Sequence, residues 1–344
     1  MKKYIGGNMM QKKLFLWMLP FLLFFGILTG CSDVKEPAQE ETKSEESTAT
    51  TDPVTEPAEE EAAQPAFPVT VTDALDYEVV LEEVPERIVT LIPSNTEILY
   101  ALGRGETVVG VTDFDNYPEE VLNTEKIGGM EFNVEKIISL NPNLVLAHES
   151  SASFAEQGLQ QLRDAGIKVF IVNNAENFEQ VFQTISELGQ LTGATKEADT
   201  LVADLSARLD AVKEKAAQVD VKRKVFVEVS PAPEIYTAGN NTFMHEMLTI
   251  INAENAAGDQ EGWIKVDQEA ILAINPDVII TTYGYYSENP MEQVKSRDGW
   301  QDVTAVKNNQ VIDVHSDLVT RQGPRIIEGV EELAKAIYPD IFTN

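Results

Sequence analysis

The chain has 344 residues, with 26 Lys and Arg against 57 Asp and Glu, for a formal charge of -31. That excess of carboxylates excludes nucleic acid or an anionic membrane surface as the partner of the folded part. Three histidines and one cysteine exclude a cysteine-based zinc site or a disulfide framework, and the length suits two domains of ordinary size.

At the amino end, Lys12-Lys13 precede the apolar run Leu14–Leu28, too short to span a bilayer comfortably and flanked like a secretory signal. It ends in Leu28-Thr29-Gly30-Cys31. Small residues leading into a cysteine resemble a lipoprotein cleavage box, so residues 1–30 are expected to be removed and Cys31 to carry lipid. Met9 or Met10 is a plausible alternative start. Residues 32–66 hold eleven acidic residues and two lysines with almost no large apolar side chain. Such a stretch cannot bury enough surface to offset its ordering entropy. Residues 31–66 therefore read as an acidic, self-repelling, disordered tether. A diacylglycerol on Cys31 would leave the body facing outward on the membrane of a Gram-positive cell.

The first lobe, residues 67–190, opens with alternating Val69, Val71, Tyr77, Val79 and Leu81, a predicted hairpin. Ile88–Leu91 reads as a buried strand, and Ser94 with Glu97 as a capping box for the helix that follows. Val108–Val111 is the next strand, and Thr112–Pro118 a loop carrying Phe114 and Tyr117. Gly128-Gly129 ends a short strand, and Asn133 caps a helix opening at Glu135. Leu144–Ala147 delivers His148 to the carboxyl end of its strand, where α/β sheets place ligands. A helix over Phe154–Ala165 and a strand over Val169–Val172 complete the lobe.

Leu201, Leu205, Leu209, Val212 and Ala216 then recur at three- and four-residue spacing among charged residues. The helix Thr195–Val219 would be about 37 Å long, and residues 191–220 read as a rigid link.

In the second lobe, residues 221–344, Lys224–Val229 is a strand leading towards Tyr236. Phe243, Met247, Ile250 and Ile251 mark a helix face, and Trp263 precedes Asp267, the cap of a helix opening at Glu269. Val278–Thr281 ends in a cluster containing Tyr283, Tyr285 and Tyr286, and Val311–Val314 delivers His315-Ser316-Asp317. Arg321, Gly323, Pro324 and Arg325 lead into a terminal helix with Ile326, Val330, Leu333 and Ile337 on one face.

One pattern occurs twice. Glu135 to Leu146 reads E-K-I-I-S-L-N-P-N-L-V-L, and Glu269 to Ile280 reads E-A-I-L-A-I-N-P-D-V-I-I. Each is a short helix, a proline break and an apolar strand, which argues for two similar α/β lobes in tandem. Aromatics at loop positions in both lobes suggest a wide cleft with flat apolar walls. No G-x-S-x-G, H-E-x-x-H or P-loop is present. The residues favour a binder over an enzyme.

Pro85-Glu86-Arg87-Ile88-Val89, Pro93-Ser94-Asn95-Thr96-Glu97-Ile98, Tyr236-Thr237-Ala238-Gly239, Asn275-Pro276-Asp277-Val278-Ile279-Ile280 and Gly323-Pro324-Arg325 together resemble the extracytoplasmic substrate-binding proteins of ABC importers. The family is the one serving vitamin B12, ferric siderophores and haem, and the resemblance runs from about Pro85 to Ile341. It implies two Rossmann-like lobes with a ligand cleft between them, joined by a single long helix. It also implies a monomer working with a permease dimer and its ATPase. Cobalamin-binding members are the nearest likeness. Matched to their motifs, Phe114, Tyr236 and Trp263 would face the ligand, with Asp317 and Arg321 as polar contacts. Tyr117, His148 and Tyr283 join them as candidate lining. His148 and Gly129 stand where those proteins carry tryptophan, so a ferric siderophore is the alternative ligand and haem a third. His148 and His315 are either two satisfied structural histidines or a pair meeting across the cleft on a metal. No resident metal or cofactor is expected. Glu135 and Glu269 correspond to the carboxylates that dock on arginines of the permease.

Overall fold

The computed structural model describes residues 67–342. The signal peptide, Cys31 and the acidic tether lie outside the described residues.

The alternating stretch forms an antiparallel hairpin, β1 (Val69–Thr72) and β2 (Glu78–Leu81), with Val69 opposite Leu81. Strands β3 (Ile88–Thr90), β4 (Val108–Gly110), β5 (Leu144–His148) and β6 (Lys168–Val172) form a parallel sheet in the order β4-β3-β5-β6. The second lobe contributes β7 (Lys224–Glu228), β8 (Tyr236–Ala238), β9 (Glu254–Asn255), β10 (Trp263–Lys265), β11 (Val278–Thr281) and β12 (Val311–Asp313). Its parallel sheet runs β12-β11-β7-β9, while β8 and β10 pair antiparallel as a separate ribbon. Every residue of β5 and of β11 is buried. Each is flanked on both sides by parallel neighbours, as continuous apolar runs require.

Helices α1 (Pro93–Ala101), α2 (Val134–Ser139), α3 (Glu149–Asp164) and α4 (Phe178–Thr192) belong to the first lobe. The link is α5 (Thr195–Ala216). The second lobe adds α6 (Phe243–Ile250), α7 (Gln268–Ile274), α8 (Pro290–Lys295), α9 (Thr304–Lys307), α10 (Ser316–Thr320) and α11 (Ile326–Ile337). Helix α4 is additional to the expected elements, although Asn177 caps it and Gly193 closes it in the left-handed conformation.

The duplicated segment folds the same way twice. Asn133 accepts from Lys136 N and Asp267 from Ala270 N, so both helices are capped as expected. Asn141 and Asn275, the residues before each proline, take positive φ values of 49° and 47°, which asparagine tolerates. Two residues on, the Asn143 side chain accepts from Arg87 N at 2.7 Å and the Asp277 side chain from Lys224 N at 2.9 Å. The break thus pins the start of the neighbouring strand in each lobe.

Each sheet is covered on both faces. One face of the first packs on Ile137, Leu159 and Leu162, and one face of the second on Ile271, Val294 and Trp300. The other faces share a single apolar cluster that includes Leu188 of α4, Leu205, Leu209 and Val212 of α5, and Val330 and Leu333 of α11. Because α5 is part of the core of both lobes, it joins them as a packed element.

Two expectations are corrected. Ser94 and Glu97 do not form a capping box: α1 starts at Pro93, flanked by Ile92, with no side-chain cap. Proline supplies the helical φ there, and Glu97 is buried elsewhere. Helix α3 begins at Glu149, five residues before the expected Phe154, because the His148 side chain caps it by accepting from Ser150 N.

Candidate ligand cleft

The carboxyl ends of β3 and β12 face each other across a cavity of about 660 Å³. From the first lobe it is lined by Ser94, Phe114 and Asn116, and from the second by Tyr285, His315 and Arg321.

The Thr112–Pro118 loop is shaped by a buried carboxylate. Asp115 accepts from Thr112 N at 2.8 Å and from the Thr112 hydroxyl at 2.5 Å, and Lys126 Nζ donates to the Asp115 carbonyl. Burial pushes the Asp115 carboxyl above its ordinary range, against the opposing pull of those hydrogen bonds and Lys126. With Asp115 turned in, its neighbours Phe114 and Asn116 turn out. The Phe114 ring lies against Gly129, where a Cβ would stand 3.3 Å from its Cζ. Gly129 therefore leaves room for the phenylalanine.

Arg321 and Arg325 tie the second lobe to this loop and to α1. Arg321 Nη1 donates to Glu97 Oε1 at 2.8 Å and to Asn116 Oδ1 at 2.7 Å. Its Nη2 donates to the Phe114 carbonyl at 3.1 Å and pairs with Asp317 Oδ2 at 3.0 Å. Arg325 grips both Glu97 oxygens, at 2.9 and 2.7 Å, and its guanidinium lies over the Tyr117 ring. Burial lowers the Arg325 pKa but Glu97 outweighs it, so the guanidinium ends above its usual value. Asp317 also accepts from Asn116 Nδ2 at 3.0 Å. The Glu97 side chain is 1% exposed. It is the centre of an interlobe ion cluster that no local sequence pattern announces.

Of the candidate lining residues, Phe114, Asp317 and Arg321 meet at this cavity. Tyr236 and Trp263 are exposed together on one face of the β8–β10 ribbon, at diagonal positions, and do not line it. Tyr117 lines a separate cavity of about 640 Å³ bounded by α1, α5 and the start of α11. Tyr283 is a correction: it is wholly buried, donating to Glu228 Oε1 at 2.5 Å. Burial and the Glu228 charge push its phenol up, and Arg297 completes the site with two bonds to the same carboxylate. Gly284 N donates to Asp313 Oδ1, and a side chain at Gly284 would collide with that carboxylate. The tight passage turns Tyr285 outward, 64% exposed, into the place expected for Tyr283.

His148 is a correction too. It is 3% exposed, its Nδ1 accepts from Ser150 N, and burial lowers its pKa to about 4. It stays neutral and structural at physiological pH. His315 is exposed, and its Nδ1 accepts from Asp317 N at 3.2 Å. Both rings therefore carry their proton on Nε2 and present a donor there, whereas a metal needs the lone pair. Among the described residues, no group of three or more His, Cys, Asp or Glu is placed to hold a metal ion. Nor is any helix among them long and apolar enough to cross a membrane.

Two parallel-sheet lobes facing across an open cleft, joined by a helix packed into both, define a solute-binding protein. A family model described as periplasmic binding protein matches residues 88–318. An uncharacterized ABC transporter substrate-binding lipoprotein of Bacillus subtilis, YvrC, is 47% identical over 335 residues, covering 97% of this chain and 99% of the relative. A vitamin B12-binding protein of Salmonella typhimurium is 32% identical, covering 73% of this chain and 90% of its own length. Among solved structures, a possible iron-binding (periplasmic solute-binding) protein from Staphylococcus epidermidis superposes with a TM-score of 0.69 at 40% identity, covering 74% of this chain and 100% of that one. The chain belongs to the periplasmic binding protein family, as an extracytoplasmic substrate-binding protein of ABC importers in the cobalamin, siderophore and haem group. It binds and does not catalyse, and its partners are the permease and ATPase of such an importer.

Proposed function

We propose that the protein captures a corrinoid outside the cell and hands it to the permease. The carrying observation is the outward-turned aromatics: Phe114 and Tyr285 line the cleft, and Tyr236 and Trp263 stand exposed on the β8–β10 ribbon. Large flat side chains left in water suit a bulky macrocyclic solute, each ring covering wide apolar area at low entropic cost. The Salmonella relative, a vitamin B12-binding protein, supports this reading. A ferric siderophore is the second reading, favoured by the higher identity to the possible iron-binding protein of Staphylococcus epidermidis. Haem is the least favoured, because His315, the histidine that lines the cleft, presents an N–H group there and His148 is buried.

Titration of the protein with cobalamin, cobinamide, a ferric hydroxamate and haem tests the proposal, with calorimetry and tryptophan fluorescence as readouts. Of the three tryptophans, Trp300 is fully buried and Trp17 lies outside the described residues, so exposed Trp263 is the expected reporter. Saturation by a corrinoid is expected. Saturation by the hydroxamate alone would transfer the assignment to siderophores, and silence from all four at micromolar concentration would end it.

Cys31 is proposed as the lipid anchor, holding the body on the outer face of a Gram-positive membrane. The Bacillus subtilis relative, itself a lipoprotein, supports this over nearly the whole chain. Metabolic labelling with a fatty-acid analogue is expected to mark the wild type and to miss Cys31→Ser. Label retained by the variant would refute the anchor.

Glu135 and Glu269 are proposed as docking residues, one on each lobe, for arginines of the permease dimer. Both are exposed in the first turn of a capped helix, and neither takes part in an ion pair among the described residues.

A further inference from the structure

The charge balance of the cavity says more about the ligand than its aromatics do. Arg321 is the cation that lines it, and both its Nη atoms are already committed to Glu97, Asn116, Phe114 O and Asp317. Arg321 and Arg325 against Glu97 and Asp317 sum to zero. Asp113, exposed at the rim and without a side-chain partner among the described residues, leaves the cavity negative. Lys126, behind the loop, is engaged as well: its Nζ donates to the Asp115 carbonyl and its charge faces the Asp115 carboxyl. What the wall does offer is a donor. With its Nδ1 occupied by Asp317 N, His315 has Nε2–H available, beside the exposed Tyr285 ring at a centroid distance of 6.4 Å.

We infer that the cleft selects a neutral or cationic metal chelate bearing peripheral carbonyl acceptors, such as corrin carboxamides or the backbone amides of a ferric hydroxamate siderophore, and that His315 Nε2–H on the Tyr285 wall reads those acceptors. This deepens the ligand assignment above and rests on it. A tris-catecholate ferric complex, with three negative charges, would lose its hydration against Asp113 and Asp317 with no uncommitted Lys or Arg to compensate among the described residues that line the cavity. The two carboxylates of haem meet the same obstacle.

The test uses the full-length protein, cyanocobalamin, a neutral ferric tris-hydroxamate and a ferric tris-catecholate of similar size. At least one neutral chelate is expected to bind, and the trianion at least 100-fold more weakly; which neutral chelate binds separates corrinoid from siderophore. His315→Asn keeps the α10 cap, since asparagine is a preferred capping residue, but removes the ring and its Nε2–H. It is expected to weaken the neutral chelate about tenfold, the cost of leaving a carbonyl unpaired. Equal affinity for the tris-catecholate would overturn charge selection. Affinity within twofold of wild type in His315→Asn would overturn the donor role, as would a shift of the chelate's visible spectrum on wild-type binding that the variant abolishes, because that shift marks coordination. If no neutral chelate binds the wild type, the ligand assignment fails first and this inference with it.

Discussion

Replacing Glu97 by alanine is expected to destabilise the protein by about 2–4 kcal/mol and to weaken ligand binding at least tenfold. The Glu97 side chain is 1% exposed and receives both Arg321 and Arg325. Removing one partner of a buried ion cluster leaves the other charges desolvated and unpaired, which is worth more than the net attraction of the intact cluster. The arginines are 13% and 15% exposed and Arg321 retains Asp317, so the cost stays below that of a sealed pair. The functional loss has a separate origin. Glu97 orients the Arg321 guanidinium that holds Asn116 and the Phe114 carbonyl, so without Glu97 the wall that carries Phe114 is held less firmly to the second lobe. Denaturant unfolding and ligand titration on the same sample check both parts. A variant within 1 kcal/mol of wild type that binds normally would show that the cluster neither stabilises the lobes nor positions the cleft.

The double variant Glu135→Arg with Glu269→Arg is expected to abolish uptake by the intact importer while leaving ligand affinity within about twofold. The local cost of losing an acid in the first turn is only about 0.3–1 kcal/mol per helix. Both side chains are exposed and neither lines the cavity, so binding has no reason to change. The helix between the lobes is packed into one core with both, which holds the two carboxylates at a set separation. Two acids at a fixed spacing suit paired arginines, and arginines in their place would repel them. Alanine at both positions is expected to be milder than arginine. Uptake of labelled ligand in cells, at matched protein levels, decides the matter. Normal transport by the double arginine variant would reduce both glutamates to helix-capping partners.

How far these residues were legible differs for a physical reason that Glu97 and Tyr283 make plain. In sequence, Ser94 and Glu97 have the spacing of a capping box. The carboxylate instead finds partners 224 and 228 residues away. No local pattern encodes that choice, because it depends on where the second lobe sits. Tyr283 and Tyr285 are both aromatics just past β11, and a turn at Gly284 sends one into the core and the other into water. Helix α4, in contrast, was not among the expected elements although its signals are local: Asn177, the spacing of Phe178, Val181, Ile185 and Leu188, and Gly193 all mark a helix.

The sequence by itself determined the two-lobed α/β plan, the central strands β5 and β11, the capped helices at Glu135 and Glu269, and the bridging helix α5. All of these follow from interactions within a few residues: apolar periodicity, caps, and a proline that ends a helix. The tertiary structure alone decided that Glu97 closes the lobes on each other, that Tyr285 and His315 form the cleft wall, that Tyr117 faces the other side of the ion cluster, and that His148 is buried. Those outcomes turn on pairings across long sequence separations and on which side of a tight turn a ring emerges, and both are settled only when the sheets pack.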